Sequence, residues 1–191
     1  MDAGLRALVI SLNDEIRENL ASILSEYGFA YVSVSDGNGV RSIVESNAFD
    51  LIILNTPLAS EFGLELAAFI DKNTDSALIV AASQKNCDDV YKKIGSIGAY
   101  ILARPFTKPA LIQTVRFLLE ARKKMLSLEA ENKRLEKKLY DIKQIDRAKC
   151  VLIEYLRISE ADAHRQIQKR AMDQRVPEIE IAMDILRTYE I

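Results

Sequence analysis

Apolar residues follow two rhythms along this chain, and the change from one to the other divides it. In the first part, short unbroken apolar runs alternate with stretches in which apolar residues recur every three or four positions. Ala7–Ser11, Ala30–Val34, Leu51–Leu54, Ala77–Ala82 and Tyr100–Ala103 have the length and apolar content of buried strands. Between them, Ile16, Leu20, Ile23, Leu24 and Tyr27 share one helical face, with Gly28 as a stop. Val40, Ile43 and Val44 mark a helix over Gly39–Ser46, Leu64–Ile70 starts another, and Val90–Ile94 belongs to a third. Short apolar strands alternating with helices predict an α/β fold, a five-stranded parallel sheet covered on both faces. Ligands of such sheets gather at the carboxyl ends of the strands.

After Pro109 the rhythm is helical throughout. Leu111, Val115, Leu118 and Leu119 predict a last helix packed on the sheet. Between Ala110 and Val176 there is neither Gly nor Pro, so that helix can run on through the charged stretch Arg122–Lys138. Along it Leu118, Ala121, Met125, Leu128, Asn132, Leu135, Leu139 and Ile142 fall at alternating gaps of three and four. With Leu118 at position a, this is a coiled-coil seam of about three heptads over residues 118–145. Asn132 is its polar member, at an a position. Such an Asn pairs with its mate across a parallel two-stranded coil and fixes register and copy number. The alternative is a long helix packed on its own domain, with Asn132 in solvent. Position 146, next in phase, is Asp146, so the heptad lapses there.

Beyond the seam, three helical segments are predicted. The first carries Ile145, Ala148, Val151, Leu152 and Tyr155. The second follows Ser159, with Asp162 at the capping-box position and Ala163, Ile167, Ala171 and Met172 as its inner face. The third opens near Pro177 and buries Ile181, Ile185 and Leu186, with Ala182 and Tyr189 nearby. Three short helices close one small core.

In the first half, Ala7-Leu8-Val9-Ile10, Phe49-Asp50-Leu51-Ile52-Ile53-Leu54-Asn55, Gly63-Leu64-Glu65-Leu66, and Gly98-Ala99 leading to Arg104-Pro105-Phe106 resemble a response-regulator receiver domain, which has a flavodoxin-like fold. The resemblance covers about residues 1–120. It implies carboxylates around Mg²⁺, one of them the phosphoryl acceptor, and a hydroxyl and a lysine that read the new charge. Here the acidic pair is replaced by Ser11 and Leu12, the acceptor by Asn55, the hydroxyl by Ala82 with Ser83 beside it, and the lysine by Arg104. An amide is a poor nucleophile, and leucine binds no metal. The expectation is a pseudo-receiver that does not take an aspartyl phosphate. It would use no cofactor and serve as a binding or dimerising surface, open to a regulatory protein or a small-molecule ligand. Asn55 is expected as a satisfied polar residue at a strand end, and Arg104 as a donor to nearby carbonyls or to Asn55. Asp14 is the nearest carboxylate, but it lies two residues beyond the usual pair and is not expected to rescue the pocket.

Charge adds a contrast between the halves. Residues 1–120 carry 10 Lys and Arg against 15 Asp and Glu, a balance of −5, while the remainder carries 16 against 13, a balance of +3. That mild basicity alone favours nucleic acid only weakly. At 49% apolar residues the 191-residue chain can bury a real core. No run approaches the about 18 apolar residues of a membrane span. Met1–Arg6 do not lead into a signal-peptide pattern. Cys87 and Cys150 lie in different halves without ligand-like neighbours and fit reduced thiols, so a cytoplasmic location is expected.

The last part resembles the ANTAR family, the AmiR and NasR transcription antitermination regulators. The resemblance rests on Ile145-Asp146-Arg147-Ala148-Lys149-Cys150-Val151-Leu152-Ile153, Ile158-Ser159-Glu160-Ala161-Asp162-Ala163, Lys169-Arg170-Ala171-Met172-Asp173-Gln174-Arg175 and Ile181-Ala182-Met183-Asp184-Ile185-Leu186, over about residues 135–191. Two positions depart from the family pattern: Cys150 replaces the usual glycine after Ala-Lys, and Ile142 a common basic residue. The resemblance implies a homodimer that binds stem-loops in nascent leader mRNA and keeps the terminator hairpin from forming. It makes Lys149, Arg170 and Arg175 the first candidates for RNA contact, expected to be exposed, with Arg147, Arg165 and Lys169 in support and His164 and Tyr155 as stacking candidates. Arg offers a planar fork for phosphates and base edges, and Lys a mobile charge.

Two other classes remain open at this point. A DNA-binding response regulator would need a short-turn helix pair ahead of a basic recognition helix, which the sequence lacks. A protein-binding scaffold would need only the acidic first half and the seam. Nothing suggests an enzyme: no nucleophile sits with a base, and there is no metal cluster or glycine-rich phosphate loop.

Overall fold

The computed structural model describes residues 4–35, 39–56, 62–94 and 97–189. The element order is β1 (Arg6–Ile10), α1 (Asp14–Glu26), β2 (Ala30–Val34), α2 (Val40–Ser46), β3 (Leu51–Asn55), α3 (Phe62–Asn73), β4 (Ala77–Ser83), α4 (Cys87–Ile94), β5 (Ala99–Arg104), α5 (Lys108–Leu156), α6 (Glu160–Gln174) and α7 (Glu178–Tyr189). The chain forms two compact units, Met1–Leu126 and Ser127–Ile191.

In the first unit all strand pairs are parallel, in the order β2-β1-β3-β4-β5. The period of two along each strand splits the core. Leu8, Ile10, Ile52, Leu54, Leu78 and Val80 face Val40, Val44, Leu66, Ile70 and Ile94 of α2, α3 and α4. Ala7, Val9, Leu51, Ile53, Ala77 and Ile79 face Leu20, Leu24, Leu111 and Val115 of α1 and α5. Because β1, β3 and β4 are covered on both faces, they read as unbroken apolar runs in the sequence. The register sets Ile10 opposite Val34 and Leu54, and Ser83 opposite Arg104, so the strand ends that matter chemically lie along one edge.

Local signals place the ends of the helices. Asn13 caps α1, its Oδ1 accepting from Ile16 N at 2.9 Å. Gly28, with φ +83°, gives the left-handed turn that stops it. The strands extend beyond the sequence limits: β3 takes in Asn55, β4 reaches Ser83 and β5 runs from Ala99 to Arg104. A single 3₁₀ turn, Gln84–Asn86, leads into α4.

Helix α5 spans 49 residues without a break. Its first turns bury Leu111, Ile112 and Val115 in the sheet unit, and its last turns bury Ala148, Val151 and Leu152 in the helical unit. There they meet Ala163, Ile167 and Ala171 of α6 and Ile181, Ala182, Ile185 and Leu186 of α7. Ser159 Oγ accepts from Asp162 N at 3.1 Å and donates to Asp162 Oδ2 at 2.7 Å, so the predicted cap forms. Arg175 ends α6 in the left-handed region, φ 57°. Met172, expected in the core, is 78% exposed. About 140° around the helix separates it from the centre of the stripe that Ala163, Ile167 and Ala171 already fill. Among the described residues no helix is long and apolar enough to cross a membrane.

Candidate functional site

The sheet brings Ser11, Asn55, Ala82 and Arg104 to the carboxyl ends of β1, β3, β4 and β5. Ser11 is fully buried, Asn55 is 4% exposed and Ala82 is buried beneath them. Asn55 Nδ2 donates to Ser11 Oγ at 3.0 Å. The Ser11 hydroxyl also accepts from Asn13 N and donates to Asn13 O, each at 3.2 Å. The expectation of a satisfied Asn55 holds for its amide nitrogen only: Asn55 Oδ1 is buried without a partner among the described residues, as is Arg104 Nε. Arg104 Nη2 donates to the carbonyl of Thr56.

This donor set does not fit Mg²⁺. Hard divalent cations take carboxylate oxygens, and none of these strand-end positions offers one. Leu12 is half-exposed beside them. Asp14 is turned away, its side chain 76% exposed and ion-paired to Arg17 at 2.6 Å. Among the described residues no group of three or more acidic, His or Cys side chains is placed to hold a metal.

Where α5 leaves the sheet it is held by Arg122. Its guanidinium donates to Asp75 O at 3.0 Å and Thr74 O at 3.2 Å, and pairs with Asp75 Oδ1 at 3.3 Å. Leu118, the first predicted seam position, is partly buried against the sheet core and so belongs to its own domain's packing. Ala121 and Asn132 are exposed. Met125, Leu128, Leu135, Leu139 and Ile142 are each more than half exposed. Ile145 then turns back into the core of the helical unit. An unpartnered apolar stripe is thus left between two stretches of α5 that are packed on their own units.

In the helical unit the six basic candidates separate by environment. Lys149 is not the free contact that the resemblance implied. Its side chain is 16% exposed and pairs with Asp146 at 2.7 Å and with Glu160 at 3.4 Å. The hydrogen bond that its ammonium donates to Asp146, offset in part by desolvation, raises its pKa above the usual 10.5. The side chain therefore clamps α5 to the first turn of α6. Arg147 is exposed and makes contacts of its own. Arg165, Lys169, Arg170 and Arg175 are exposed, and their side chains form no ion pair among the described residues. His164 is exposed. Tyr155 is spoken for in part: its ring lies 5.0 Å from that of Tyr189, and its hydroxyl donates to Tyr189 O at 3.4 Å.

Residues 7–116 match the response regulator receiver domain, and residues 133–186 match the ANTAR domain. The chain belongs to the response regulators, with a receiver domain followed by an ANTAR domain. It is 29% identical to the transcriptional regulatory protein PdtaR of Mycobacterium tuberculosis, over 98% of this chain and 93% of that one. It is 27% identical to the uncharacterized transcriptional regulatory protein YbdJ of Bacillus subtilis, over 61% of this chain and 52% of that one. Among solved structures, a receiver domain protein from Clostridium thermocellum superposes with a TM-score of 0.57 at 23% identity, covering 64% of this chain and 98% of that one. The Thermotoga maritima response regulator TrrA, with Mg²⁺ and BeF, does so with a TM-score of 0.53 at 27% identity, covering 60% of this chain and 98% of that one. A fusion carrying the yeast Spc42 trimeric coiled coil matches with a TM-score of 0.59 at 19% identity, over 72% of this chain and 96% of that one.

Receiver and ANTAR domains are regulatory modules, and this response regulator is not an enzyme. Sequence reasoning missed two features of its ANTAR domain. The acids that occupy Lys149 were visible as Asp146, three residues away on the same helix, and Glu160, just after the Ser159 cap, but only the fold brings the second one near. The exposure of Met172 was legible in the helical phase, since the residue falls outside the Ala163–Ile167–Ala171 stripe.

Proposed function

We propose that this response regulator is an RNA-binding transcription antiterminator that acts as a dimer and needs no aspartyl phosphate. The observation that carries the reading is an ANTAR domain with exposed, unpaired basic side chains, joined to a receiver whose acceptor position is Asn55. Two chains pair in parallel through Met125, Leu128, Leu135, Leu139 and Ile142, with Asn132 facing its mate. The pair presents two ANTAR domains to two stem-loops of a nascent leader mRNA. Bound RNA is held out of its terminator hairpin, and polymerase reads on. The names of the relatives, both transcriptional regulatory proteins, agree with this role.

Control then falls to something other than phosphoryl transfer. A regulatory protein or a small-molecule ligand on the receiver fits this need. A cavity of about 700 Å³ between α1 and the start of α5, lined by Ile16, Leu20, Ile23, Ser83, Arg104 and Phe106, is a recessed place for one. Protein concentration, acting through dimerisation, is a further control.

The test is a binding series with purified chain, leader-type stem-loop RNA and matched duplex DNA. RNA should bind without any phosphoryl donor, weaken steeply as salt rises, and outcompete the duplex. Equal binding of DNA, or no RNA binding by the wild-type chain, would overturn the reading.

A further inference from the structure

Met172 is the most exposed of the large apolar side chains recorded among the described residues, at 78%. A single exposed apolar residue needs no explanation by itself. Its surroundings are what set it apart. Arg165, Gln168 and Lys169 stand seven, four and three residues before it, on the same face of α6 and all exposed. That face lies opposite Ala163, Ile167 and Ala171, which are buried against α5 and α7. Neither Arg165 nor Lys169 has an ion-pair partner among the described residues. Asp173 is turned about 100° around the helix from Met172 and lies four residues beyond Lys169, with which it forms no ion pair among the described residues. Toward the start of α6, Glu160 pairs with Lys149, and Asp162, three residues before Arg165, takes the Ser159 hydroxyl and forms no ion pair with Arg165 among the described residues.

The face therefore combines one apolar, polarisable side chain, two cations that form no ion pair among the described residues, and one amide. An apolar protein surface would be a poor match, because it would bring nothing to Arg165 and Lys169, and the acidic first half of a second copy falls under the next objection. An acidic protein surface would leave Met172 against charge. A polynucleotide meets both demands, with phosphates for the cations and a flat base for the thioether. In an A-form stem the base faces are covered by stacking, so the base that reaches Met172 must be unpaired.

We propose that Met172 is an RNA-contact residue, the apolar seat for one unpaired base, with Arg165 and Lys169 holding the phosphates on either side. This rests on the RNA-binding reading above. It also moves the centre of the interface from Lys149, which is occupied, to the outward face of α6. Thioether sulfur packs favourably against aromatic rings, and Met is flexible enough to follow a base of either size.

The experiment uses the full chain with ¹³C-labelled methionine methyl groups, which gives four resonances to assign. The probe is a hairpin RNA selected on the wild-type chain from a pool with randomised loops. On titration, the Met172 methyl should move upfield through the ring current of the base, more than those of Met125 and Met183. Met172→Ala should weaken binding about fivefold to tenfold with an unchanged salt slope, and Met172→Leu should restore most of it. The pair R165E/K169E should weaken binding further and flatten the salt dependence. If RNA binds and R165E/K169E abolishes it, yet the Met172 methyl stays in place and M172A binds as well as wild type, the role of Met172 falls and the RNA reading stands. A change of oligomeric state in M172A without RNA would assign the face to a protein contact and overturn the proposal. If the wild-type chain retains no RNA from the pool, the RNA reading falls and this proposal with it.

Discussion

Asn55 Nδ2 donates to Ser11 Oγ at 3.0 Å, tying the carboxyl end of β3 to that of β1 where a working receiver would hold a cation between carboxylates. The contact is buried and structural. Asn55→Asp is therefore expected to restore no phosphorylation, since Ser11 and Leu12 still supply no carboxylate for Mg²⁺. It should destabilise the receiver by about 1–3 kcal/mol, through an unpaired buried charge or a lost hydrogen bond. Denaturant melts, together with a mobility assay after incubation with acetyl phosphate and Mg²⁺, check both points. A phosphorylated species from N55D alone would contradict them.

The seam should respond to charge and to apolar replacement in opposite ways. Leu128→Glu with Leu135→Glu is expected to give monomers, because each buried Leu contributes about 1.5–3 kcal/mol. Asn132→Ile should raise the melting temperature and loosen the choice between two and three strands. Sedimentation equilibrium of the three proteins reads both effects.

Lys149 should behave as a clamp. Lys149→Gln is expected to lower the stability of the ANTAR domain by about 0.5–1 kcal/mol, a modest loss because Asp146 and Glu160 are mostly exposed. Its RNA affinity should fall less than that of R165E/K169E. The raised pKa fixes the sign of the pH effect. The stabilisation is fully present below 10.5 and lost as pH rises through the higher folded-state value, so the clamp is constant across neutral pH. Thermal melts at pH 7 and above pH 10.5 check this, with K149Q as the insensitive control.

Arg122→Ala removes three hydrogen bonds to Thr74 and Asp75. It should cost the receiver about 1–2 kcal/mol and speed amide exchange around Arg122 and Thr74. The seam itself should still associate, because Leu128 and the apolar positions beyond it are untouched, and Met125 loses only the contact of its Sδ with the guanidinium.

Most of the fold was legible because burial leaves a simple trace. Strands covered on both faces leave unbroken apolar runs, and the cores of β1, β3 and β4 follow from that alone, while the exposed edge strand Ala30–Val34 was legible from its place in the alternation of strands and helices. Strand ends were less legible, since Asn55, Ser83 and Arg104 are polar and join their strands through register with neighbours. The pocket residues could be placed through strand order, yet the Asn55–Ser11 bond, which joins residues 44 apart, could not. On the basic surface, residue type gave the candidates and the fold sorted them. Lys149 is drawn in by Glu160 of another helix, while Arg165 and Lys169, ranked lower from the sequence, are left free. Leu118 belongs to the heptad by spacing and to the receiver core by packing.

The central claim is that this chain holds RNA through its ANTAR domain without a phosphoryl signal. The most direct measurement passes total RNA from the native host over purified full-length wild type and over R165E/K169E, with no phosphoryl donor, and sequences what each retains. The account predicts that wild type enriches leader transcripts with two adjacent stem-loops, that rising salt releases them, and that the variant enriches none. Equal recovery by both proteins, no enrichment by wild type, or enrichment only after a phosphoryl donor is added would contradict it.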